Sequence, residues 1–239
     1  MEMILFFDNE QNKHAYRCYN FGMIRNHYEN VKKTIGDIDL CVVTKKRSIA
    51  EIQSYYDAGE RIFGENHAQE LLGKVDQFPK DVKWQFIGHL QRNKVKEVLP
   101  YVDCIQSLDN LKLAAVIEKE ASKLNKKQNV LVEFHLADED TNKTGLPADQ
   151  ADSFLDTVLK YEHVNVIGMM TMGPHTDNTD RIREVFTEAR SLYERLQKKY
   201  GTEHMHVLSM GMSADYPIAV TCGSTMVRVG TYLFEEQEK

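Results

Sequence analysis

Short apolar runs alternate with amphipathic stretches along most of this chain, and the rhythm starts at residue 38. Residues 38–43, apolar but for Asp39, read as a buried strand that ends abruptly at Lys45 and Lys46. Ile49 to Tyr56 then follows helical spacing, with Ser48 in the N-cap position. Further strands are predicted at 61–63, 84–87, 102–105, 130–134, 164–170, 205–208 and 226–229. Helical patterns lie between them, clearest over 110–124, 148–161 and 179–200. Met23, Ile24, His27, Tyr28, Val31 and Ile35 predict an earlier helix, closed by Gly36-Asp37. Residues 1–20 are weakly periodic and are expected to form an extension, leaving 21–239 as the folded domain.

Strands that alternate with helices imply a parallel sheet, and eight such repeats imply a (β/α)8 barrel. An open doubly wound sheet is the alternative, although no strand runs into a GxGxxG turn. The length, 239 residues, suits one barrel-sized domain or at most two small ones. With 42% hydrophobic and 28% charged residues the chain can bury a substantial core. A net charge of −6 argues against nucleic acid as a partner. No apolar run is long enough to span a membrane, and no cleavable signal is evident. Cys18, Cys41, Cys104 and Cys222 are dispersed, which fits reduced thiols in the cytoplasm.

In a barrel, chemistry gathers at the C-terminal ends of the strands. Lys45 stands at such an end. A partly desolvated amine there loses basicity and becomes a nucleophile for carbonyl groups. Taken alone, the stretch reads first as two solvated loop lysines. Its neighbours change that. Gly64-Glu65-Asn66-His67 follows the second strand, and Gly88-His89-Leu90-Gln91-Arg92-Asn93-Lys94 follows the third. Ser209-Met210-Gly211-Met212-Ser213-Ala214-Asp215 follows the seventh, while Arg228-Val229 leads into Gly230-Thr231. The last two loops are where such barrels commonly bind phosphate. Main-chain N–H groups of Gly230 and Thr231, with the Ser213 and Thr231 hydroxyls, would supply the donors. His204-x-His206 could place two imidazoles on one strand face, but no third ligand is apparent, so no metal is expected. His135 with Asp138, Glu139 and Asp140 reads as a solvated loop, and Lys94-Val95-Lys96 as a helix face.

These motifs, with Val43-Thr44-Lys45, Trp84-Gln85-Phe86-Ile87, Gly168-Met169-Met170-Thr171-Met172 and Gly223-Ser224-Thr225-Met226-Val227, resemble the pyridoxal phosphate homeostasis proteins over roughly residues 21–234. That family's barrel is similar to the N-terminal domain of alanine racemase. The resemblance implies pyridoxal 5′-phosphate as cofactor, carried on Lys45 as an internal aldimine. Lys46 falls where the family has a small or polar residue. The resemblance further implies that Arg228 faces the pyridine nitrogen, that Ser213, Gly230 and Thr231 hold the phosphate, and that Asn66 sits beside the ring. Two departures stand out. Gln85 replaces a common histidine and Glu235 a common glycine, and neither is expected to prevent binding.

Two functions follow from the resemblance. One is a monomeric carrier that buffers pyridoxal phosphate and delivers it to dependent apoenzymes, with no catalytic residue of its own. The other is a racemase-like enzyme. Racemisation needs a second acid or base opposite the lysine, which alanine racemase takes from a further β-rich domain of its partner subunit. This sequence ends at Lys239, soon after the eighth strand, so the carrier is expected.

Overall fold

The computed structural model describes residues 26–137 and 144–234. Eight parallel strands close into a barrel in sequence order. They are β1 Asp39–Val43, β2 Ile62–Glu65, β3 Lys83–Phe86, β4 Val102–Leu108, β5 Gln128–Phe134, β6 Val164–Thr171, β7 Val207–Ser209 and β8 Met226–Val229. Val229 of β8 pairs with Val42 of β1, so the sheet has no free edge. The expected barrel is the fold, and closure excludes the open sheet.

Helices fill the connections: α1 over 26–35, α2 Ile49–Asp57, α3 Ala68–Leu72, α4 Val95–Val98, α5 Leu111–Lys123, α6 Ala151–Val158, α7 Thr179–Tyr200, α8 Tyr216–Thr221 and α9 Thr231–Phe234. Their starts follow from local chemistry. The Ser48 hydroxyl accepts from the Glu51 N–H, and the Glu51 carboxylate accepts from the Ser48 N–H at 2.7 Å, forming a capping box. Asn110 and Asn178 cap α5 and α7 through their side-chain oxygens. None of the helices among the described residues is long and apolar enough to cross a membrane.

Alternation along the strands sorts the core into two parts. Val130, Val132 and Phe134 of β5 join the large cluster between sheet and helices. Leu131 points the other way, into the barrel, and packs with Cys104 and Met170. Buried polar side chains share that interior: Gln85, Gln106, Ser209 and Arg228.

Some expectations shift. β2 and β4 run two and three residues past their expected ends at Phe63 and Ile105. The seventh strand begins at Val207, two residues later than its apolar run suggests, because Gln197 of α7 takes the Met205 carbonyl as acceptor. His204 and His206 therefore lie in the turn before β7, not on a strand face, and His206 Nδ1 sits 3.1 Å from the Thr202 carbonyl. The extension over residues 1–20, the helix residues Met23 and Ile24, Cys18, Asp138 to Asp140 and Glu235 lie outside the described residues.

Candidate functional site

The site forms where β8, β1 and β2 end side by side. At β1 the chain is fixed one residue before Lys45. Thr44 is buried; its N–H donates to the Gly64 carbonyl at 2.9 Å and its hydroxyl to Glu65 Oε1 at 2.6 Å. The Thr44 carbonyl accepts from Lys74 Nζ at 2.8 Å, and the same ammonium meets Glu65 Oε1 at 2.6 Å. Glu65 is fully buried, and burial pushes its carboxyl above the usual range against the pull of Lys74 and Thr44. Lys45 and Lys46 follow as an exposed turn. Lys46 takes the left-handed corner at φ 59°, and its N–H donates to Glu70 at 2.6 Å. Of the two lysines, Lys45 is thus the one set directly on the pinned strand end.

Next to it lies the loop after β8. Gly230 packs against Val43: a Cβ on residue 230 would come within 3.0 Å of the Val43 Cβ and 3.1 Å of its carbonyl. The N–H groups of Gly230 and Tyr232 both point at Ser213 Oγ, at 3.3 and 3.1 Å. Two main-chain donors thus converge on one acceptor oxygen, the arrangement a phosphate oxygen requires. Ser213 thus lies against the turn that holds Gly230, and Thr231, exposed, starts α9. The N–H that joins Gly230 on Ser213 Oγ is that of Tyr232, one residue beyond Thr231. Tyr55 of α2 ties this loop to the lysine side by donating to the Leu233 carbonyl at 2.6 Å.

Arg228 stands beneath these loops, 4% exposed and paired across β8 and β1 with Cys41. One of its terminal nitrogens, Nη1, donates to Ser209 Oγ at 2.7 Å; the other, Nη2, reaches the Thr171 carbonyl at the end of β6 at 3.0 Å. Those bonds use two of the five donors a guanidinium carries and aim the rest of the fork. Burial pulls Arg228 below its usual value, and the carboxyl groups of Asp215 and Glu133 oppose that pull. Burial also pushes the Cys41 thiol up to about 12, so it stays protonated beside the arginine.

Asn66 follows β2 on the other side of Lys45. Its Oδ1 is buried without a hydrogen-bond partner. Gly88 lies so close to the Asn66 carbonyl that a Cβ there would come within 2.3 Å, which explains the glycine after β3. A buried acceptor left unpaired at the mouth of a barrel fits a bound polar ring.

Glu133, at the end of β5 and 2% exposed, was not singled out from the sequence. Thr144 donates to its Oε1 at 2.7 Å, yet burial holds its carboxyl above the usual range. A folded-state value above the unfolded one favours the fold below the ordinary carboxylate range, and this contribution is lost as pH rises through the folded value. Glu133→Gln is therefore expected to raise the melting temperature near pH 8, by about 2–4 °C for each kcal/mol recovered. The difference should vanish near pH 4 in the same calorimetric scans.

Arg228 lies on β8, Lys45, Asn66 and Gly230-Thr231 follow the C-terminal ends of β1, β2 and β8, and Ser213 lies in the loop after β7. Thr44, Glu65, Thr171 and Ser209 stand in the quoted motifs without an assigned role, whereas Lys74 and Tyr232 stand in none of them. Among the described residues no three metal-ligating side chains come together.

The model of the alanine racemase N-terminal domain family matches residues 20–237. A pyridoxal phosphate homeostasis protein of Aquifex aeolicus is 39% identical over 188 residues, which cover 78% of this chain and 82% of that one. The structure of PipY from Synechococcus elongatus without PLP aligns with a TM-score of 0.83 at 30% identity, covering 89% of this chain and 100% of PipY. Its structure with PLP bound gives 0.81 at 29% identity over the same shares. The chain belongs to the alanine racemase N-terminal domain family and, within it, to the pyridoxal phosphate homeostasis proteins.

Proposed function

We propose that this chain binds pyridoxal 5′-phosphate at the ends of β8, β1 and β2, and serves intracellular homeostasis of that cofactor by buffering and delivering it. The observation that carries this reading is one mouth holding an exposed lysine, a buried arginine fork and two main-chain donors aimed at one point. When bound, the cofactor supplies an aldehyde that can join a lysine amine and a ring that can accept electrons. Lys45 is the amine that attaches it. The hydroxyls of Ser213 and Thr231 take the phosphate, with the N–H groups of Gly230 and Tyr232, whose present acceptor, Ser213 Oγ, turns aside for a phosphate oxygen. Asn66 lies along the ring. Arg228 donates to the ring nitrogen and keeps its protons, so that nitrogen receives a hydrogen bond and not a proton. This favours holding the cofactor over rapid turnover of amino acids. Because Lys45 is exposed, a receiving apoenzyme can reach the attachment point.

The test compares pyridoxal 5′-phosphate with pyridoxal by absorbance titration. Charge-assisted hydrogen bonds contribute about 1.5–3 kcal/mol each, so the phosphorylated form should bind at least about tenfold more tightly. Thr231→Val should narrow that gap. Equal binding of the two forms, or a gap that Thr231→Val leaves untouched, would remove the phosphate cup from the reading.

A further inference from the structure

A TIM-type barrel interior is ordinarily filled with branched apolar side chains. Here a chain of polar side chains crosses it. Arg228 on β8 donates to Ser209 Oγ on β7 at 2.7 Å. Ser209 donates across the barrel to Gln106 Oε1 on β4 at 2.8 Å. Gln106 Nε2 donates to Gln85 Oε1 on β3 at 3.1 Å, and Gln85 Nε2 reaches Asp103 Oδ2 at 3.4 Å. Ser209 and Gln106 are fully buried, and Gln85 is 3% exposed.

Every link runs the same way, from donor to acceptor, starting at a cation and ending at a carboxylate. Chains aligned in this manner polarise and strengthen one another. The direction also fixes each group's role. With Ser209 accepting from Arg228, its own buried proton needs an acceptor elsewhere, and Gln106 Oε1 is that acceptor. Gln106 stays in that orientation because its amide nitrogen has Gln85 to donate to. Among buried groups, an alternative orientation of any one member would set two donors or two acceptors against each other.

We propose that Ser209, Gln106 and Gln85 are positioning residues that fix the direction of the Arg228 fork, and so set the hydrogen bond given to the cofactor's ring nitrogen. The inference rests on the preceding reading of Arg228. Gln85 does not touch the mouth, but it anchors the far end of the chain that reaches it, and this agrees with the expectation that glutamine in place of histidine does not prevent binding. A neutral imidazole can accept at one nitrogen and donate at the other, as the Gln85 amide does, whereas leucine can do neither.

The experiment is a double-mutant cycle on the cofactor-loaded protein, with affinity and the absorbance maximum of the bound cofactor as readouts. Gln106→Leu should weaken pyridoxal 5′-phosphate binding roughly tenfold, the loss of about one charged-group hydrogen bond, and shift the maximum. In an Arg228→Met background it should change affinity less than about twofold, because the group being positioned is gone. Gln85→Leu should follow Gln106→Leu, while Gln85→His should behave as the parent. If Gln106→Leu does not fold, Ser209→Ala takes its place in the cycle. An equal loss in both backgrounds, or no loss from any of these variants while Arg228→Met binds poorly, overturns the positioning role and leaves the site intact. Parent-like binding by Arg228→Met overturns both this inference and the assignment of Arg228 to the site.

Discussion

Lys45→Ala is expected to form no borohydride-reducible adduct with pyridoxal 5′-phosphate at any concentration, whereas Lys46→Ala should form it as the parent does. The asymmetry follows from one residue of chain. Lys45 continues directly from Thr44, which Gly64, Glu65 and Lys74 hold on both its carbonyl and its hydroxyl. Lys46 sits on the far side of the turn, in a left-handed corner closed by Glu70. Affinity should not vanish with the amine. The phosphate donors and Arg228 remain in Lys45→Ala, and charged-group hydrogen bonds of about 1.5–3 kcal/mol each should still hold the cofactor weakly and reversibly. Titration followed by reduction separates the two effects. Binding with full adduct yield in Lys45→Ala would assign attachment to another amine.

The second large effect is on stability. Lys74→Met removes the ammonium that faces Glu65 and the Thr44 carbonyl, and leaves a carboxyl with no exposed surface and no cation. Breaking a buried pair from one side typically costs about 3–5 kcal/mol, which at this chain length is a fall of roughly 10 °C in melting temperature. Burial already raises the Glu65 carboxyl with Lys74 present, and the variant should raise it further. The loss should accordingly be larger near pH 8 than near pH 5, where a protonated Glu65 no longer needs the cation. Adding Glu65→Gln should recover part of the loss at the higher pH. A double variant as unstable as the single one would show that the lysine acts only through the Thr44 carbonyl.

Much of the fold was legible because a closed parallel barrel writes itself as short apolar runs between amphipathic helices. The seventh strand was misplaced because Met205 is apolar and buried for a different reason, under the end of α7. Of the site, Arg228 could be read as a lone cation inside an apolar strand, and Lys45 as a lysine at a strand end. Lys74 could not. Between Gly73 and Val75 it looks like any solvated lysine, and only the fold brings it to Thr44, thirty residues earlier. Ser209 and Gln106 lie 103 residues apart, so no local pattern links them. The Tyr232 contribution is a main-chain N–H, which side-chain identity does not reveal.

The whole reading turns on where the cofactor is attached. The purified 239-residue chain incubated with pyridoxal 5′-phosphate, reduced with borohydride, digested and mapped by mass spectrometry should carry one phosphopyridoxyl group, on Lys45. A label on Lys46 or Lys74, or a chain left unlabelled, would contradict it.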